Sequence, residues 1–213
     1  RLTAMKRFPE LDLNSDKVQE TLDLFVANET AMDPTLSIHE RLMLSRNGEV
    51  TPGALDYVEN MPPNEQRSLK VALAQIADDE EDKAYREAYD KIVETLKMMK
   101  DKGILIVPGT DLGGAFNLHR ELELYTEQLG YTPAEVLKLA SYDMAEYLGH
   151  DSLGSIEEGK LADFFLVPGN PVENIKAIKT ISMVSRGGTF YYPSEVYPAF
   201  GITPFTEKPE VKE

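Results

Sequence analysis

The segment "ILIVPGTDLGG", residues 104–114, sets an acidic residue at the end of an apolar run. Ile104 to Val107 is mostly β-branched with no polar alternation, which suits a strand covered on both faces, as in a parallel sheet. Pro108 and Gly109 stop it, and Asp111 follows. α/β folds place their chemistry just beyond the carboxyl ends of parallel strands. A carboxylate there can take a proton from water and deliver it to a leaving group. Pro, Gly and Asp are also turn residues, so on residue types alone catalysis and a plain turn both stand. The other candidates are three histidines, His39, His119 and His150, and Asp33 before Pro34. No two histidines form a His-x-His pair.

The elements that must position these groups follow from periodicity. Residues 15–29 predict an amphipathic helix with Ser15 as N-cap and Val18, Leu22, Phe25 and Val26 on one face. Residues 30–33 form a short strand ended by Pro34. Residues 45–65 are turn-rich and irregular. From Asn64 to Lys102 the pattern is helical, in two pieces divided at the acidic "DDEED", with "DDEEDK" read as a solvated junction. The second piece turns Ile92, Val93, Leu96 and Met99 inward and ends at Gly103. "LHRELELYTEQLG" is a helix ending at Gly130. The next starts with Thr132 as N-cap, Pro133 at its first position and Glu135 closing a capping box. Helix, strand and helix in succession imply α/β packing with a parallel sheet.

After Gly149 the chain becomes β-rich and punctuated by Gly and Pro. "SRGG" is a hairpin turn between "ISMV" and "TFYY". Tyr191 and Tyr192 are expected to pack this module, and "TPFTEKPEVKE" to fray.

Of 213 residues, 42% are hydrophobic, enough for a core rather than wholesale disorder. Lys+Arg of 22 against Asp+Glu of 37 leaves a formal charge of −15, the wrong sign for nucleic acid or an anionic membrane surface. There is no cysteine, hence neither disulfide framework nor thiolate chemistry. No apolar stretch reaches the length of a membrane span. The chain opens "RLTAMKRF" without an initiator Met, so a natural amino terminus is expected to be missing. The compartment, cytoplasmic or periplasmic, stays open.

"GTDLGG", "ELELYTEQLGYTPAEVLKLASYDMAEYLGHDSLGSIEEGKLADFFLV" and "MVSRGG", in this order, resemble the carboxyl-terminal end of the metal-dependent amidohydrolase superfamily. The likeness is to its imidazolonepropionase-like and prolidase-like members. It is close over roughly residues 100 to 192 and looser through "AMDPTLSIHE". It implies an α/β fold class: the carboxyl-terminal part of a (β/α)8 TIM-like barrel plus part of a small β-sandwich. Residues 1–149 would belong to the barrel, 150–193 to the sandwich and 194–213 to a tail. Residues 104–107 would be the eighth barrel strand, and 30–33 would lie in or near the seventh.

The resemblance also implies roles. Asp111 falls on the family's aspartate after the eighth strand, a metal contact and proton shuttle for metal-activated water. The intact enzyme would carry one or two divalent metals, most simply zinc, and hydrolyse carbon–nitrogen bonds in cyclic or dipeptide-like amides. Its further ligands, including a His-x-His pair, come from strands this chain lacks. The chain therefore reads as a carboxyl-terminal portion, expected to be inactive and metal-free alone, whose partners are the missing part of its barrel and a small amide, with homo-oligomers open. A non-catalytic binding or assembly module is the alternative.

The remaining candidates are weighed individually. Gly113 and Gly114 let the backbone pass close to the site. His119 either lines the pocket, orients a neighbour or caps. His39 could reach the barrel mouth, and His150 reads as structural or solvated. Asp33 reads as a turn-forming Asp-Pro, and Asp163, though part of the family signature, as structural.

Overall fold

The computed structural model describes residues 2–210. In chain order the helices are α1 (Leu2–Met5), α2 (Asp16–Ala27), α3 (Leu36–Leu44), α4 (Pro63–Ser68), α5 (Asp79–Asp101), α6 (Ala115–Glu127), α7 (Pro133–Lys138), α8 (Met144–Tyr147) and α9 (Pro193–Val196). The strands are β1 (Phe164–Leu166), β2 (Met183–Arg186) and β3 (Thr189–Tyr191). The chain forms two compact units. One comprises Arg1–Leu55 and Leu69–Gly130, the other Asp56–Ser68 and Tyr131–Glu213. The Thr132 helix falls in the second.

The first unit is built around α5, which packs on α3, while α3 also packs on α6. Leu36, Met43, Tyr89, Leu96, Ile106, Leu124 and Tyr125 are buried in it. The acidic run "DDEED" is not a junction between helices but the start of α5. The Asp78 side chain accepts the Glu81 amide at 2.8 Å, and Asp79, Glu80, Glu81 and Asp82 fill the first turn. Carboxylates are favoured there because the free amides make that end partly positive.

The helical piece expected before it shrinks to the six residues of α4. Residues 69–72 instead bond to an earlier loop. The Leu69 and Lys70 carbonyls accept the Thr51 and Gly48 amides, each at 2.9 Å, and Asn47 accepts the Ala72 amide at 3.0 Å. Those bonds replace the helical ladder. In α2, Ser15 stands at the N-cap without a side-chain capping bond. Leu22 is buried as expected, whereas Val26 is 46% exposed.

Ile104, Ile106 and Val107 are buried. Their partner is the segment expected on sequence: Met32 bridges Ile106 in parallel. The Met32 amide donates to the Leu105 carbonyl and the Val107 amide to the Met32 carbonyl, both at 2.8 Å. Among the described residues this bridge is all that represents the parallel sheet, so the architecture is mixed α/β rather than a recognisable barrel.

In the second unit Thr132 and Glu135 form the expected capping box with Pro133 in the first turn. The helix runs through a π-turn at Leu139–Asp143 into α8. Gly154, at φ +86°, lies so close that a Cβ on it would meet the Ala145 Cβ at 2.7 Å and the Ser141 carbonyl oxygen at 3.0 Å.

β1, β2 and β3 form one antiparallel sheet in that order. Phe164 pairs with Ser185, and Ser185 with Phe190. The hairpin turn is Gly187-Gly188, both at positive φ, which a two-residue primed turn requires. Asp163 secures it by accepting the Gly187 amide at 2.7 Å, a structural role. Tyr191 does not pack inward; β3 is exposed throughout.

The carboxyl-terminal segment is tied down rather than frayed. The Thr203 amide donates to the Asn60 carbonyl at 2.8 Å. Lys208 pairs with Glu195 at 2.9 Å and lies 4.1 Å above the Tyr192 ring. Residues 211–213 of that segment lie outside the described residues.

Candidate active site

Two short segments leave the Met32–Ile106 bridge side by side and carry carboxylates beyond it. After Val107 the chain passes Pro108 and Gly109 to Thr110, whose hydroxyl donates to the Leu112 carbonyl at 2.8 Å and faces the Leu112 amide at 3.2 Å. The loop thus closes around Asp111, which is exposed and sits in the left-handed region at φ +48°. Asp tolerates that conformation better than most residues, but holding a non-glycine there costs about 1–3 kcal/mol.

After Met32 come Asp33 and Pro34, then Thr35, left-handed at φ +46°. Asp33 Oδ1 accepts the Thr35 amide at 3.2 Å, so the turn-forming role expected of Asp33 is present. The residue does more than turn the chain. Asp33, Thr35, Thr110 and Asp111 line one cavity of about 440 Å3.

The two segments approach so closely because residue 109 is glycine. A Cβ built there would lie 2.3 Å from both carboxylate oxygens of Asp33. A larger, mainly apolar cavity of about 510 Å3 shares Asp33 and Thr35 and is lined also by Met32, His39, Leu96 and Met99. His39 is therefore brought to the Asp33 side of the site.

The other candidates lie elsewhere. Gly113 and Gly114 are exposed and line neither cavity. Gly114, at φ +93°, is the N-cap residue of α6. His119 is half-buried on α6, edge-on to Phe116 with 5.9 Å between ring centroids, and lines neither cavity. His150 is exposed in the second unit.

Behind the cavity lies a buried network that residue types alone did not announce. Glu121 on α6 is fully buried. Its two carboxylate oxygens accept the amides of Leu36 and Ser37, the first residues of α3, at 2.8 and 2.6 Å. Burial pushes its carboxyl up to about 7, against the pull of donors from Ser37, Leu36 and Tyr125. Tyr125, one turn further, donates to the Val107 carbonyl at 3.0 Å. Arg120 makes a two-pronged pair with buried Glu40, at 2.9 and 2.6 Å, and also reaches Glu123 at 3.1 Å and Glu127 at 3.0 Å. In the sequence these residues look like the charged face of a solvated helix.

Two aspartates lining one cavity beside two threonines can hold a polar substrate and move a proton. They do not by themselves make a zinc centre, which takes four ligands, usually nitrogen or sulfur. Among the described residues no three His, Cys, Asp or Glu side chains are grouped to hold an ion. Asp111 fits such a centre as one contributor.

A sequence model of the amidohydrolase family matches residues 24–190. The chain belongs to the amidohydrolase family. Ochratoxinase from Aspergillus niger is 31% identical to it over 94 residues, 42% of this chain and 20% of the relative. Among solved structures, a Xaa-Pro dipeptidase with methionine bound in its active site superposes with a TM-score of 0.57 at 24% identity, over 86% of this chain and 38% of that one. A prolidase complexed with N-methylphosphonate-L-proline gives a TM-score of 0.55 at 20% identity, over 81% and 37%. At these identities the likeness is one of fold. This amidohydrolase chain spans a fifth of the length of the curated relative and under two-fifths of the solved ones.

Proposed function

We propose that this chain is the carboxyl-terminal part of a hydrolase that cleaves an amide carbon–nitrogen bond, with Asp111 at the reaction centre. One observation carries the reading. In a chain matched to the amidohydrolase family across residues 24–190, the acidic residue beyond the buried segment 104–107 opens into the same cavity as Asp33. Asp111 takes a proton from the attacking water and passes it to the leaving nitrogen, a task suited to a carboxylate within hydrogen-bond reach. Thr110 braces the loop that presents it, and Asp33 supplies a second acceptor able to orient a substrate N–H or a water.

A divalent metal, most simply zinc, belongs to the proposal. When bound it lowers the pKa of a coordinated water and polarises the scissile carbonyl. Asp111 would be one of its ligands, and the others would come from residues beyond this chain. The substrates in view are dipeptide-like amides, Xaa-Pro dipeptides among them, and cyclic amides.

The test is turnover by the whole protein on a panel of those amides. Release of a free amine from at least one class is the expected result. A folded whole protein that binds members of the panel yet cleaves none would overturn the hydrolase and leave a binding module.

A further inference from the structure

Neither Asp33 nor Asp111 is held in place by its own segment alone. Thr35 and Asp111 are both non-glycine residues in the left-handed region. Such conformations persist only where the surroundings over-determine them. The surroundings here converge on one face of α6. Glu121 holds the Leu36 and Ser37 amides immediately after Thr35, one on each carboxylate oxygen. Tyr125, one turn beyond Glu121 on the same helix, holds the Val107 carbonyl two residues before Gly109.

A single buried carboxylate thus fixes the residues that follow Asp33. One turn further along α6, Tyr125 grips the end of the segment that leads to Asp111. A simpler partner would suffice to satisfy the first amides of α3, since an exposed Ser, Thr or Asp at the N-cap does so in most helices. Here the N-cap position is Thr35, which makes no side-chain capping bond. The work is done from another helix, one that starts just after Asp111. That arrangement gives α3 a cap and also locks two loops to each other.

We infer that Glu121 is a positioning residue, which sets the placement of Asp33 against Gly109 and thereby its separation from Asp111. Its catalytic consequence rests on the hydrolase reading above; its structural consequence does not. With Glu121 replaced, Thr35 relaxes from the left-handed region, Asp33 swings away from Gly109, and the two carboxylates no longer face one cavity in fixed register. Substrate still binds through the rest of the site, so the loss falls on kcat rather than on KM.

The experiment compares E121Q with Y89F in the whole protein. Gln keeps the shape of Glu but can accept only one of the two amides. Y89F removes a half-buried hydrogen bond in the same unit, from Tyr89 to Gln128 at 2.8 Å, which involves neither loop. Hydrogen exchange is read at the Leu36 and Ser37 amides, and kcat and KM are read on the amide the wild type cleaves. The expected result for E121Q is exchange at those two amides faster by about tenfold or more, with the rest of α3 protected as before. Its kcat falls roughly 10- to 100-fold with KM within about threefold, a size typical of a misplaced catalytic group. Y89F leaves both readouts at wild-type values.

Unchanged exchange in E121Q, or exchange that rises evenly across the unit, overturns the inference. So does local opening with full kcat. If the wild-type whole protein cleaves no amide, the hydrolase reading fails while exchange at Leu36 and Ser37 still decides whether Glu121 positions the loop.

Discussion

Tyr125, fully buried on α6, donates its hydroxyl to the carbonyl of Val107 at 3.0 Å, the last residue before the loop that carries Asp111. Removing only that oxygen leaves a buried carbonyl unsatisfied. Such losses cost about 1–3 kcal/mol. Tyr125→Phe should therefore lower the unfolding midpoint of the whole protein in urea without changing the slope of the transition. An unchanged midpoint would show that the bond contributes nothing.

Gly109 is the other half of the approach between the two loops. A methyl group there cannot coexist with the Asp33 carboxylate, only 2.3 Å from the Cβ position. That carboxylate is the free end of a side chain, so it can rotate aside. Gly109→Ala should cost no more than the about 1–3 kcal/mol of a modest overpacking, yet displace Asp33 from the cavity. The signature is a clear loss of turnover with little loss of thermal stability, read by parallel kinetic and melting measurements.

Arg120 balances two buried carboxylates, Glu40 and Glu123. Deleting one partner of a buried ion pair leaves uncompensated charge, at about 3–5 kcal/mol. Arg120→Ala should be among the most destabilising single changes in the first unit. Replacing Arg120, Glu40 and Glu123 together by apolar residues of similar size should recover much of that loss, measured by comparing the unfolding free energies of the triple and single variants.

Glu121 makes stability depend on pH in an unusual direction. Burial raises its carboxyl from 4.5 to about 7 in the folded chain. Between those values the folded state holds a proton that the unfolded state has released, so stability falls as pH rises through this window. The size is on the order of 3 kcal/mol, from 1.36 kcal/mol per unit. Subtracting the Glu121→Gln profile from the wild-type profile of unfolding free energy between pH 4.5 and 8 isolates the effect. A flat difference would contradict it.

Much of the local architecture was legible because short-range rules decide it. Thr132, Pro133 and Glu135 spell a capping box, Gly187-Gly188 a two-residue hairpin turn, and Ile104–Val107 an apolar run of which Ile104, Ile106 and Val107 are buried. The failures share a cause. "DDEED" reads as a solvated break because charge density says nothing about which end of a helix it serves. "SLKVA" looked helical, but its carbonyls were already committed to Thr51 and Gly48.

The site was half legible. Asp111 stood out by its place after an apolar run. Asp33 looked like a turn residue and is one, but its proximity to Gly109 is a tertiary fact that no spacing encodes. Glu121 and Arg120 were invisible because a buried carboxylate gripping backbone amides is written with the same letters as one facing water. Only the apolar neighbours Leu122 and Leu124, both buried, hinted that this helix is enclosed on more than one side.

The central claim is that Asp111 handles the proton at the reaction centre. The direct measurement is kcat/KM of Asp111→Asn in the whole protein, beside the wild type, on the amide the wild type cleaves, with melting curves for both. The account predicts a fall of about 10²- to 10⁴-fold with the melting temperature unchanged, since Asp111 is an exposed loop residue. Turnover close to wild type in a folded Asp111→Asn protein would contradict it.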